Sequence, residues 1–211
     1  VGQFMDQKTE KKDHIFHDVT PDNWFYDGIM YLANQNIVIG YGDGQFGPND
    51  TAPRFQFAIL LSIMDGTISS TDTSSARITT AINHVREAKY LNIPDDVTDE
   101  EFSTNPYWSA PATREEAVVG ILKMIEKKYR IDTTSDNLSI LDRFNDKGDI
   151  ADVNSKPYLA YAVSMGLLSG TSENTLDPDG KVSRAQVGVL LYRTLIGVDE
   201  SKMQDYRENV S

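Results

Sequence analysis

Apolar residues along this chain fall into blocks of two kinds that alternate. The first kind is amphipathic: Trp24, Ile29, Leu32 and Ala33 recur at helical spacing behind Thr20 and Pro21, which predict an N-cap and a first-turn proline. A Gly-rich turn after Ile39 is predicted to end that helix, because glycine tolerates the positive φ that reverses a chain. The second kind is apolar nearly all round. Phe55, Phe57, Ala58, Ile59, Leu60, Leu61, Ile63 and Met64 leave almost no polar face, which predicts a helix buried on most sides. Val118 to Ile125 and Val187 to Ile196 have the same character.

The alternation repeats. Phe16-His17-Asp18-Val19, a helical stretch, the loop Gly40-Tyr41-Gly42-Asp43-Gly44-Gln45-Phe46-Gly47-Pro48 and then Arg54 are echoed by Phe144-Asn145-Asp146, a helical stretch, Gly166-Leu167-Leu168-Ser169-Gly170, Pro178 and Arg184. Gly40 and Arg54 stand 14 positions apart, as do Gly170 and Arg184; Pro48 and Pro178 each precede their arginine by 6. A degenerate middle copy runs from a helix at Ala81–Tyr90 through Asn92-Ile93 to Thr113-Arg114-Glu115-Glu116-Ala117, with 21 positions between Ile93 and Arg114 where the outer copies have 17. The predicted organisation is a lead segment 1–14, copies at 15–66, 76–131 and 138–197, polar linkers between them, and a tail 198–211. A copy of about 50 residues cannot bury its own apolar face. The three are therefore predicted to fold as one all-α unit of helix-loop-helix repeats, their second helices forming a central three-helix bundle.

Composition narrows the function. The 211 residues carry a formal net charge of −12, which argues against a nucleic-acid binder, since phosphate neutralisation needs a concentrated basic surface. Cysteine is absent, excluding disulfides, thiolate zinc sites and a cysteine nucleophile. Val1 to Lys12 has no apolar targeting core and no run is long enough to span a bilayer, so no membrane insertion is predicted and the chain reads as a mature or excised soluble piece.

Signals for catalysis are poor. His14, His17 and His84 form no His-Glu-x-x-His arrangement, and no Gly-x-Ser-x-Gly is present. Glu115 and Glu116 are neighbours on a helix and point apart, which does not suit a glycosidase pair. Asp177-Pro178-Asp179-Gly180 departs from a calcium loop, with glycine fourth and Gly188 in the twelfth place. Neither an enzyme nor a cofactor is predicted.

The order Phe-x-Asp-Val, Trp, Gly-Tyr-x-Asp-Gly-x-Phe-x-Pro and then an arginine-bearing helix start resembles the S-layer homology repeat, which usually occurs as three tandem copies. The first copy keeps Phe16, Asp18, Val19, Trp24, Gly40, Tyr41, Asp43, Gly44, Phe46 and Pro48; the last keeps Phe144, Asp146, Gly166, Gly170 and Pro178. The resemblance implies a pseudo-threefold helical trefoil that anchors exported proteins to the cell envelope, typically to a pyruvylated secondary cell wall polysaccharide of Gram-positive bacteria, with ligand in grooves between copies. It implies a secreted protein at the cell wall or S-layer surface, with a cargo domain or S-layer partner. Carried over by position, the motif that supplies an essential arginine is Pro53-Arg54-Phe55-Gln56, Thr113-Arg114-Glu115-Glu116 and Ser183-Arg184-Ala185-Gln186. Gln56 and Gln186 replace its acidic fourth residue, and the last copy has Pro157-Tyr158 near the usual tryptophan.

The chemistry fits these residue types. A pyruvate ketal is a carboxylate, and a guanidinium holds one through two parallel hydrogen bonds. At a helix start, unpaired amides and the dipole would add to the attraction. The expected ligand-binding residues are Arg54, Arg114, Arg184, Asp18, Trp24, Gly40, Tyr41, Gln56, Asp146, Tyr158, Ser169, Gly170 and Gln186. A plainer reading stands beside this one: each arginine pairs with one of the 32 acidic residues, Trp24 joins the core, and Asp18 and Asp146 stabilise loops. The alternative function is an envelope protein-protein interaction module whose repeats have lost glycan binding.

Overall fold

The computed structural model describes residues 16–98 and 105–210, the last helix beyond Val198 by its backbone alone. The predicted lead segment 1–14 lies outside the described residues. Helices are α1 Tyr26–Asn34, α2 Arg54–Met64, α3 Ala76–Glu87, α4 Pro106–Ser109, α5 Arg114–Tyr129, α6 Lys156–Ser164 and α7 Arg184–Val210. Three short 3₁₀ turns precede α6, and the described residues contain isolated β-bridges and no strands. The fold is all-α, as the periodicity predicts. The boundary predicted at Val198 falls inside α7.

Two local predictions are corrected. α1 starts at Tyr26 rather than behind Thr20, because the Thr20 amide and hydroxyl both donate to Asn23 Oδ1 (2.7 and 3.1 Å) and close a separate turn. Trp24 is thereby held ahead of the helix and is 64% exposed. The exit from α1 is made by Asn36 at φ 56°, where the last copy has Gly166 at φ 69°. Asparagine is among the few residues that reach this region with little cost.

Helices α2, α5 and α7 share one apolar core. Phe57, Ala58 and Leu61 of α2, Ala117, Ile121, Met124 and Ile125 of α5, and Val187, Leu191 and Leu195 of α7 are buried together with Trp108 of α4. Contact between α2 and α5 is close: a Cβ on Gly120 would stand 2.8 Å from the Phe57 ring. The prediction that α2 is buried on most sides holds for one face only. Phe55, Ile59, Leu60 and Ile63 are half-buried and line an open cleft instead.

What joins the segments ahead of these helices is a closed cycle of backbone hydrogen bonds. The Ala52 amide donates to Val182 O (3.1 Å), the Val182 amide to Ala112 O (3.2 Å) and the Ala112 amide to Ala52 O (2.8 Å). Bridges Thr51–Ser183, Pro53–Pro111 and Thr113–Lys181 flank the cycle. Each segment thus touches both of the others one residue or two before its arginine.

Candidate functional site

The cycle sets the three arginines at the first positions of α2, α5 and α7, each beside the loop of another segment. Their amides donate across the junctions, Arg54 to Ala110 O (2.9 Å), Arg114 to Gly180 O (2.8 Å) and Arg184 to Asp50 O (2.8 Å). The next amides are engaged too. Glu115 and Ala185 donate to Pro178 O (2.9 Å) and Pro48 O (3.1 Å), while Glu116 and Gln186 donate to the hydroxyls of Thr113 and Ser183, each at 3.1 Å. At α5 and α7 the amides expected to be free for an anion are therefore already used by neighbouring loops and caps, whereas at α2 the Arg54 amide is engaged in this way.

Arg184 lines a first cleft of about 240 Å³. Its Nε donates to Phe46 O (2.9 Å), Nη1 to Gln56 Oε1 (2.8 Å) and Nη2 to Ile39 O (3.1 Å). The guanidinium lies over the rings of Tyr41 and Phe46, at 4.8 and 4.7 Å. Among the described residues no carboxylate forms an ion pair with it, and burial pulls its pKa below the ordinary arginine value despite the opposing fields of Tyr41, Asp50 and Asp18. The rest of the wall is apolar, from Ile37, Val38, Ile39, Phe55, Ile59, Leu60 and Ile63, with Arg77 at the far side donating to Asp72 O (2.8 Å). Of the predicted residues, Arg184, Gly40, Tyr41 and Gln56 meet here. The Tyr41 hydroxyl donates to Asp50 Oδ2 (2.8 Å), which fixes the ring, and Gly40 is required because a Cβ would stand 2.5 Å from Gln45 O.

A second cleft, of about 420 Å³, gathers Arg114, Trp24, Ser169, Gly170 and Gln186, all predicted, together with Arg193 of α7. Arg114 is much less satisfied than Arg184. Its Nη2 donates to Ser169 O, the counterpart of Ile39 O, but Gln186 Oε1 is taken by the Ser183 amide (2.9 Å), and the buried Arg114 Nε has no partner among the described residues. Burial pulls this guanidinium's pKa down, with Asp177 partly opposing. A cation desolvated without an ion pair favours any anion that reaches it.

Arg54 differs. Its Nε and Nη2 donate to Glu116 Oε2 and Oε1, both at 2.8 Å, Nη1 donates to Tyr107 O (3.2 Å), and the Tyr107 ring lies 4.3 Å beneath. Burial alone would lower its pKa, but Glu116 more than offsets this and holds it above the ordinary value. Its charge is paired with a carboxylate, the arrangement that the plainer reading describes.

The remaining predicted residues lie outside both clefts. Asp18 accepts from the Phe46 and Gly47 amides (each 2.8 Å) and Asp146 from the Leu176 and Asp177 amides (2.9 and 2.7 Å), so each carboxylate clamps the loop behind a cleft. The Tyr158 hydroxyl donates to Glu126 Oε2 (3.1 Å). Sequence reasoning missed Glu116 as the partner of Arg54, and Arg193. The acidic fourth residue kept only by the middle copy was the available signal for the first; Arg193 interrupts an otherwise apolar stretch of α7.

Comparison with known proteins agrees with the resemblance. The S-layer homology domain model matches residues 15–58 and 143–187. The chain is thus similar to this domain at both regions, and S-layer homology domains are cell-wall anchoring modules. It is also similar to an exoglucanase, XynX, of Acetivibrio thermocellus, at 27% identity over 207 residues, covering 88% of this chain and 16% of that protein. An amylopullulanase of Thermoanaerobacterium thermosulfurigenes is 28% identical over 192 residues, covering 87% of this chain and 10% of its own length. The chain therefore spans only a small part of either relative. Among the described residues no helix is long and apolar enough to cross a membrane.

Proposed function

We propose that the chain is a noncatalytic, secreted cell-envelope anchor, three helix-loop-helix units in a pseudo-threefold trefoil, whose clefts hold an anionic, pyruvylated secondary cell wall polysaccharide. The observation that carries this reading is the state of Arg114 and Arg184. Each is a desolvated guanidinium lining a cleft, with a glutamine where Glu116 faces Arg54, so each keeps its charge for a ligand carboxylate. Gln56 presents its oxygen to Arg184 without neutralising it. Tyr41 and Trp24 offer aromatic surface beside the two cations for a sugar face. Charge-assisted hydrogen bonds of this kind contribute about 1.5–3 kcal/mol, so loss of either arginine should weaken its cleft about tenfold to a hundredfold.

The test is co-sedimentation with Gram-positive walls before and after the secondary polymer is stripped. Wild type should sediment only with unstripped walls, and Arg114→Ala with Arg184→Ala together should release it while helical circular dichroism is kept. Sedimentation with stripped walls, or undiminished attachment of the double variant, would overturn glycan binding in favour of docking to an envelope protein.

A further inference from the structure

The two clefts differ in a way their shared ancestry does not suggest. Seven residues beyond Gln56 the first cleft has Ile63, part of an apolar wall; seven beyond Gln186 the second has Arg193. On an α-helix that offset is about two turns, or about 10 Å along the groove. Arg193 is exposed, and no hydrogen bond, ion pair or ring contact engages it among the described residues. The second cleft therefore has two uncompensated guanidiniums, Arg114 near the helix start and Arg193 two turns on, in a protein whose net charge is −12. The first cleft's other arginine, Arg77, is tied to Asp72 O and gives no such pair.

We propose that Arg193 is a further ligand-binding residue, and that it makes the second cleft selective for a glycan segment carrying two acidic groups over one carrying a single acid. The inference rests on the reading of this cleft as a glycan site. Arg114 takes the first carboxylate beside the helix start, and Arg193 takes the second from the next acidic unit along the polymer. Trp24, ahead of α1 on the same cleft, covers a sugar face. A lone acid gains one charge-assisted contact and a repeated acid gains two, which distinguishes a polymer from small carboxylates.

Trp24 also supplies the readout. It is 64% exposed, whereas Trp108 is fully buried, so a ligand in the second cleft changes the emission of Trp24 alone. The full chain is titrated with a synthetic wall disaccharide bearing one pyruvate ketal and with a tetrasaccharide bearing two, and Trp24→Phe serves as the silent control. For wild type the tetrasaccharide should bind about tenfold more tightly than the disaccharide. Arg193→Gln, which keeps helix propensity, should reduce that ratio to about two, the statistical value for two equivalent acids, with disaccharide affinity unchanged; Arg193→Lys should keep part of it. A wild-type ratio near two, or a ratio unmoved by Arg193→Gln, would overturn the role of Arg193. No response to either probe, or a response indifferent to Arg114→Ala, would overturn the cleft reading itself.

Discussion

Replacing Glu116 should destabilise the fold without loosening its grip on the wall. The bidentate pair with Arg54 has side chains 16% and 20% exposed, and Glu116 also accepts from the Thr113 amide (3.2 Å) in the capping box of α5. An exposed pair contributes about 0.2–1 kcal/mol, whereas removing one partner of a fully buried pair costs about 3–5 kcal/mol. This pair lies nearer the buried limit, so Glu116→Ala should cost about 2–3 kcal/mol, and the lost cap about 0.5 kcal/mol more. At this chain length that corresponds to a fall in Tm of about 5–14 °C. Glu116→Gln retains one acceptor, as Gln56 does for Arg184 at 2.8 Å, and should cost only about 1 kcal/mol. Thermal and urea unfolding of both variants, of Arg54→Met and of the doubles would give the coupling energy. We expect at least about 1.5 kcal/mol between Arg54 and Glu116, with wall sedimentation of all these variants intact. A coupling below about 0.5 kcal/mol, or release from the wall by Arg54→Met alone, would refute the assignment of Arg54 to structure.

Two further outcomes follow from the packing. Burial pushes the Asp65 carboxyl up, but hydrogen bonds from His84, Thr67 and Tyr90 outweigh it and hold it below the usual carboxylate range. Its stabilisation is therefore complete above the unfolded-state value of about 3.9 and fades as pH falls through the lower folded value, so Asp65→Asn should lower urea midpoints at pH 7 and the difference from wild type should shrink as pH falls through that lower value. Gly120→Ala would press a Cβ to 2.8 Å from Phe57 at the α2–α5 contact; the overpacking of about 1–3 kcal/mol should exceed the helix-propensity gain of about 1 kcal/mol, and Phe57→Leu should restore part of the loss in denaturation curves.

The repeat was legible in the sequence because loop lengths survived where side chains had diverged, and the apolar excess of α2, α5 and α7 correctly placed one face of each in a common core. Local competition was harder to read. Nothing in Thr20-Pro21 announces that Asn23 will capture the Thr20 amide and delay α1, and it is that delay which leaves Trp24 on the surface. Cross-segment partners were harder still, since Arg54 meets Glu116 across 62 positions and Arg184 meets Gln56 across 128, distances over which no periodicity speaks. Motif positions identified the three arginines as equivalent. Only their surroundings separate one that is neutralised from two that are not.

The cycle of amides through Ala52, Ala112 and Val182 also has a consequence for the order in which the protein can be made. Emerging from the ribosome, Ala52 acquires a donor for its carbonyl when Ala112 appears, yet the acceptor for its own amide arrives only with Val182, 130 positions later. With two members present the ring holds one hydrogen bond, from the Ala112 amide to Ala52 O, and the other two need Val182. Closure must await the last unit, which predicts slow, all-or-none acquisition of structure dominated by distant contacts. Until that step the part of the shared core that Val187, Leu191 and Leu195 of α7 complete stays uncovered.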